Sequence, residues 1–445
     1  MEPSLAGRSR SSLSGGWEVA EQAKQVGPES GIVNPMDRRA FLLAVGAGAA
    51  LATATGASEA SQGPSAQPSG QPAPPPRPFL TNPASFGDVS RGNPRPHTLT
   101  GDALTAARLT PAAWRLEIVS DGTSTIATPR TLAHDNAIDL HMLQNLGQHH
   151  GRRFLKAMQC LNIAQPLGQG LWEGIPLREL LNLVGRISNV RHIYYWGFHN
   201  NDPQQVFQSS LSYTQVMEAP PNELGPFVAY RLNGEPIPLL RGGPVRMIVP
   251  WAHGFKSIKW LQRIVLTNNY QANDTYHSGN NDVESHLKTA AYVDPAPPPA
   301  RAGQALVVTG TVMVGMSGLK RVEYWLRPVN GNKPLADDDP AWANARWSPC
   351  VIIPAPQNWA ATLPQGMPPA SVFGFDPRTG QPREWPMKYS WGLWSVTLAN
   401  LKAGTYEFRA RAVDNNDFAQ PEPRPYPKSG RNEVQICRLT VNVDS

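Results

Sequence analysis

Two clusters of side chains in this chain have the types and spacing to do chemistry. One is Cys160, which closes the apolar run Phe154-Leu-Lys-Ala-Met-Gln-Cys160 ahead of a Gly-rich stretch and Trp172-Glu-Gly-Ile-Pro-Leu-Arg-Glu-Leu180. Free cysteines are usually inert small hydrophobes, whereas a thiolate presented at a strand end can bind a metal. The other is the turn His253-Gly-Phe-Lys256-Ser257-Ile-Lys259, with one imidazole, one hydroxyl and two ammonium groups in seven residues. Such a set can hold a phosphate, although lysine pairs in loops are also ordinary solvated turns. An upstream arm, Arg91-Gly-Asn-Pro-Arg95-Pro-His97, adds cations beside prolines and on residue type reads as surface.

Positioning these groups requires a mixed scaffold. Residues 112–119 alternate like a strand, 138–146 read as a short helix, and 155–158 as the buried strand that delivers Cys160. A Gly-rich irregular loop follows, then a helix over 177–184 and a strand over 193–198. A helix is expected over 212–219, an extended segment over 227–232 and a turn at Asn233-Gly234-Glu235-Pro236. The strand 245–250 then leads into the basic turn, and another strand covers 264–266. Strands and short helices alternate irregularly, which predicts an α+β domain over 81–293 rather than a doubly wound one.

A Pro-rich linker at 294–303 opens a second domain, 304–445, with strands over 305–314, 319–326, 393–398, 405–413 and 434–443. Tyr406, Phe408, Ala410 and Ala412 alternate with Glu407, Arg409 and Arg411, predicting one face in and one out. This is an all-β, immunoglobulin-like antiparallel sandwich. Residues 337–389, rich in Pro and Trp, read as an insertion without an evident place.

The amino-terminal part reads as a leader. Asp37-Arg38-Arg39-Ala-Phe-Leu-Leu43 precedes an uncharged Ala/Gly-rich run and a small-residue site at Ser58-Glu59-Ala60, the pattern of a twin-arginine export signal ending near residue 60. The 35 residues before Met36 carry no pattern, so Met36 is an alternative start. Residues 61–80 form a Pro-rich linker expected to be disordered. Twin-arginine export carries folded proteins, so the leader implies a cofactor inserted before export and a periplasmic location. Beyond residue 60 there are 35 Lys/Arg against 28 Asp/Glu, a modest +7 that suits an anionic ligand. Lys/Arg clusters with interleaved aromatics, as nucleic-acid binding needs, are absent. No second apolar run is long enough to span a membrane. Cys350 and Cys437 could pair in an oxidising compartment or remain two buried thiols; Cys160 stays unpaired.

The order of the Gln-Cys strand end, the Asn-Gly-Glu-Pro-Ile-Pro turn, the Gly-Gly-Pro-Val-Arg strand and the Gly-Phe-Lys-Ser-Ile-Lys-Trp-Leu turn resembles the sulfite oxidase family from about Trp114 to the carboxyl end. The resemblance implies a molybdenum-molybdopterin cofactor, with Cys160 the thiolate ligand to the metal and His253, Lys256, Ser257 and Lys259 holding the pterin and its phosphate. It also implies that Tyr276 faces the metal and that the carboxyl-terminal sandwich makes a homodimer. The implied reaction is oxidation of sulfite to sulfate. This chain has no haem motif, so electrons would pass to a separate protein such as a c-type cytochrome. One departure bears on the substrate: sulfite oxidases proper follow Gln-Cys with Ala-Gly-Asn-Arg-Arg, and this chain has Leu161-Asn-Ile-Ala-Gln165. Either Arg91, Arg95, Arg152 or Arg153 supplies the missing cation, or the substrate is neutral, as for an S-oxide reductase. The reading from a different class is a metal-free exported binding protein.

Overall fold

Five consecutive residues before Gln159, Phe154 to Met158, are all buried in the strand Arg152–Met158, so that strand must be covered on both faces. The computed structural model describes residues 78–443 apart from 221, 278–281, 330–333, 336–338, 340, 342–343 and 421–431; the expected leader and most of the 61–80 linker lie outside them. Arg152–Met158 pairs antiparallel with Gly168–Pro176, which pairs in turn with Phe227–Leu232; Glu235–Pro236 and Arg246–Ile248 complete that sheet.

Gly168–Pro176 corrects the expected irregular loop. Its glycines lower strand propensity, yet they let the neighbouring backbone come close: a Cβ on Gly174 would lie 2.2 Å from the Val228 carbonyl oxygen.

A second sheet orders Ile138–Asp139, Arg115–Ser120, Leu261–Thr267, His192–Gly197 and Gln208–Ser212, with only Arg115–Ser120 and Leu261–Thr267 parallel among these pairings. The expected helix over 138–146 begins instead as that two-residue strand and continues as the helix Leu140–His150, because Asp139 caps it by accepting from the Met142 N–H. A Ser212/Gln215 capping box likewise starts the helix Tyr213–Met217. The two sheets share one core: Leu116, Ile193 and Ile264 from one meet Ile175, Val228 and Met247 from the other.

Two further sheets lie towards the carboxyl end. One contains Ala290–Val293, Leu306–Met313, Trp391–Leu398 and Val351–Ile352; the other contains Ala300–Arg301, Ile436–Asn442, Gly404–Val413, Arg321–Pro328 and Ser348–Pro349. They share a core of Val308, Trp394 and Val396 against Val322, Phe408 and Leu439, so this half is a two-layer sandwich. It starts earlier than residue 304, because Ala290–Val293 already pairs with Leu306–Met313. The expected alternation holds for Phe408, Ala410 and Ala412, but Glu407 and Arg409 on the opposite face are also buried. The Glu407 carboxylate accepts from Arg327 and Arg409 and from the Leu335 N–H, so the segment at 334–335 covers that face. All three cysteines are free thiols.

These layers buttress the Cys160 strand from two sides. Phe154 and Met158 pack with Tyr292, Met313, Tyr389 and Trp391 from the carboxyl-terminal half. On the other face, Leu155 and Leu171 pack with Trp359, Leu363, Val372, Phe375 and Met387, which places the Pro/Trp-rich segment as the outer cover of the sheet. Trp359 is fully buried there, and truncating such a side chain typically costs about 3–5 kcal/mol.

Candidate active site

A cavity of about 310 Å³ opens where the Cys160 strand, the basic turn and the upstream arm meet. Cys160 lies on its wall immediately after the strand, partly exposed. The Gly254 N–H donates to the Gln159 carbonyl at 2.6 Å, and a Cβ on Gly254 would sit 3.1 Å from that oxygen, so this glycine lets the basic turn close against the cysteine segment.

Four cations line the cavity, Arg91, Arg241, Arg246 and Lys259, and no carboxylate does among the described residues. Arg241 donates to the carbonyls of Pro83, Ala84 and Gly87, and Lys259 to Asp88 Oδ1 at 3.0 Å and Ser90 Oγ at 2.6 Å. Both therefore tie down the upstream arm. Burial, reinforced by the Arg246 charge, pulls the Lys259 ammonium down to about 8 despite Asp88 beside it. Burial opposes ionisation of Asp88 too, but the Ser90 hydroxyl and the Lys259 charge outweigh it and lower that carboxyl to about 2.

Arg246 is buried as well. Its two terminal nitrogens donate to the carbonyls of Arg241 at 2.7 Å and Ser257 at 2.6 Å, and the guanidinium lies 5.1 Å from the Trp172 ring centre. Burial and the nearby Arg241 charge lower it to about 9. Arg246 Nε and Trp172 Nε1 are buried without a hydrogen-bond partner among the described residues. Two idle donors and a surplus of positive charge suit an anionic ligand rich in acceptors, and a thiolate on the same wall suits a soft metal. A phosphorylated, metal-bearing pterin has that donor and acceptor pattern.

Comparison with known proteins bears directly on this fit. Residues 103–275 match the oxidoreductase molybdopterin-binding domain model. Mitochondrial sulfite oxidase of Drosophila melanogaster is 25% identical over 276 residues, covering 58% of this chain and 42% of the fly protein. An inducible NADH nitrate reductase of Glycine max is 30% identical over 127 residues, 28% of this chain and 14% of the soybean protein. Among solved structures, the sulfane dehydrogenase SoxCD from Paracoccus pantotrophus aligns with a TM-score of 0.51 and 16% identity, covering 87% of this chain and 96% of that one. The chain carries, over residues 103–275, an oxidoreductase molybdopterin-binding domain similar to that of sulfite oxidase and nitrate reductase. It therefore binds molybdenum-molybdopterin, and it spans less than half the length of the two curated relatives described.

The residues singled out from sequence separate into two sets. Cys160, Ser257, Lys259 and Tyr276 line the one cavity. Ser257 Oγ also accepts from the Val249 N–H, which fixes its hydroxyl against the preceding strand. Lys256 points the other way: its ammonium pairs with Asp274 at 2.8 Å and donates to the Ser210 carbonyl, because successive residues of the tight turn present opposite sides. His253 is fully buried and is not on the cavity wall; its N–H holds the turn by donating to the Ser285 carbonyl.

The arm departs from its surface reading. Arg91 lines the cavity, donates to the Tyr276 hydroxyl and lies 4.8 Å from the Phe207 ring centre. Arg153 is committed to Glu173 at 2.7 Å, Arg152 to the His150 and Gly151 carbonyls, and Arg95 lies 3.9 Å from Asp88. Arg241, Arg246 and Trp172 are the site residues that sequence reasoning passed over. An arginine between Val245 and Met247 in an expected buried strand was the available signal, since a buried charge needs a partner.

Proposed function

We propose that this enzyme oxidises a small sulfur oxyanion, sulfite in the first instance, to sulfate in the periplasm after twin-arginine export. The observation that carries the reading is Arg91, a cation on the cavity wall beside Tyr276 and on the same cavity as Cys160. It offsets the missing arginines after the cysteine, and a doubly charged anion in a half-enclosed pocket requires such a cation. When bound, the molybdenum-pterin group supplies two-electron oxygen-atom exchange. Cys160 would ligate the metal through its thiolate, while Arg246, Ser257 and Lys259 would hold the anionic pterin. Arg91 and the Tyr276 hydroxyl would orient the anion, and the Phe207 and Phe255 rings flanking Tyr276 restrict water around it.

The net reaction takes sulfite and water to sulfate with two protons and two electrons, which leave for a separate acceptor such as a c-type cytochrome. A homodimer through the carboxyl-terminal sandwich, whose two-layer form supports an immunoglobulin-like reading, completes the proposal. A neutral S-oxide as the substrate is the competing reading, favoured by the apolar rings around Arg91.

The test uses holoenzyme made in a host that synthesises the pterin. Sulfite-dependent reduction of an artificial one-electron acceptor is expected in the wild type, lost in Cys160→Ser together with the molybdenum. Arg91→Gln should raise the KM for sulfite about tenfold or more, the loss of roughly one charged hydrogen bond. Reduction of a neutral sulfoxide without sulfite oxidation, insensitive to Arg91→Gln, would overturn the proposal.

A further inference from the structure

We infer that the buried Lys256–Asp274 ion pair is a positioning device that fixes Tyr276 against the active-site cavity. The inference rests on the reading above that Tyr276 meets the substrate.

Lys256 and Asp274 side chains are 6% and 0% exposed, and their charged atoms stand 2.8 Å apart. The Asp274 carboxylate accepts from the hydroxyls of Ser209 and Ser210, while Lys256 donates to the Ser210 carbonyl at 2.7 Å. One pair therefore joins three segments: the basic turn, the strand Gln208–Ser212 and residues 274–276. The last joint is reinforced by backbone donors in both directions: the Thr275 N–H donates to the Gln208 carbonyl at 3.1 Å, and the Gln208 N–H to Thr275 Oγ1 at 3.0 Å.

Tyr276 follows immediately. Its ring stands edge-on to Phe255 at 5.2 Å and to Phe207 at 5.5 Å. Phe255 precedes Lys256 and Phe207 precedes Gln208, so the two backbones that the ion pair draws together carry the two rings that clasp the tyrosine. A buried ion pair contributes little net stability, because desolvation consumes most of its Coulomb gain; what it can confer is a single arrangement of the chains it joins. Here that arrangement aims one hydroxyl at Arg91.

Removing one partner would strand a buried charge and could unfold the protein, so the test uses the neutral double variant Lys256→Met/Asp274→Asn beside wild type and Lys256→Met alone. In the holoenzyme, the double variant should keep its molybdenum and its kcat within about threefold, while the KM for sulfite rises about tenfold. Independently of turnover, nitration by tetranitromethane, read on peptides by mass spectrometry, should rise about fivefold at Tyr276. Tyr270, 68% exposed, serves as the internal reference and should not change. Unchanged nitration of Tyr276 in a folded double variant would overturn the inference, whatever the activity. Absence of sulfite oxidation in the wild type would fail the functional reading alone, leaving the nitration ratio to decide the clamp.

Discussion

Replacing Arg246 by methionine separates a cofactor-binding cation from a structural one. The guanidinium is buried and sits at about 9, some 3.5 below its ordinary 12.5, so keeping it charged costs the metal-free fold on the order of 5 kcal/mol. Methionine would relieve that cost but leave the Arg241 and Ser257 carbonyls without a donor, at about 1–3 kcal/mol each. Relief and loss nearly cancel, so Arg246→Met should change the stability of the metal-free protein by no more than about 2 kcal/mol. With the anionic cofactor in place the balance changes, because a charge-assisted bond in a water-poor cavity is lost. A loss of about 2–3 kcal/mol corresponds to roughly 30- to 150-fold weaker retention. Elemental analysis of molybdenum per chain after extended dialysis reads the retention, and urea denaturation of metal-free protein reads the stability. A variant that keeps full molybdenum while its metal-free form is several kcal/mol weaker would refute the assignment and make Arg246 a structural residue.

Two further outcomes follow from the same geometry. Lys259 is depressed to about 8 by burial, with the Arg246 charge adding to it. Below that pH the group is protonated in both states and its burial penalty is fully present. Between about 8 and 10.5 the unfolded chain binds the extra proton, so this group makes stability rise with pH, by up to about 3 kcal/mol. Lys259→Met should flatten that rise in metal-free protein relative to wild type, and urea midpoints at both ends of the window check it; parallel curves would contradict the burial argument. Gly174→Ala should destabilise by about 3 kcal/mol or more, since its Cβ would meet the backbone of Val228 and Ala229 rather than a movable side chain. An urea midpoint equal to that of wild type would show that the strands can separate at no cost.

Much of this was legible in the chain itself. Strands such as Phe227–Leu232 and Gly404–Val413 follow from local apolar patterning, which needs no knowledge of neighbours. Cys160 and the Ser257/Lys259 turn stood out by residue type and order, and the structure brings them to one cavity. Gly168–Pro176 was not legible, since glycine scores against a strand unless the approach of the Val228 backbone is known. The direction of Lys256 was not legible either: whether an ammonium faces a cavity or Asp274, eighteen residues on, depends on which carboxylate the fold brings within 2.8 Å. Likewise the Pro/Trp-rich segment found its place only against Leu155 and Leu171, a surface that exists once the sheet has formed. Most of all, Arg91 and Tyr276 are 185 residues apart and share a hydrogen bond. Sequence specified the chemistry that local groups can do; tertiary structure decided which distant cation stands beside them, because long-range pairing is set by burial and shape rather than by spacing along the chain.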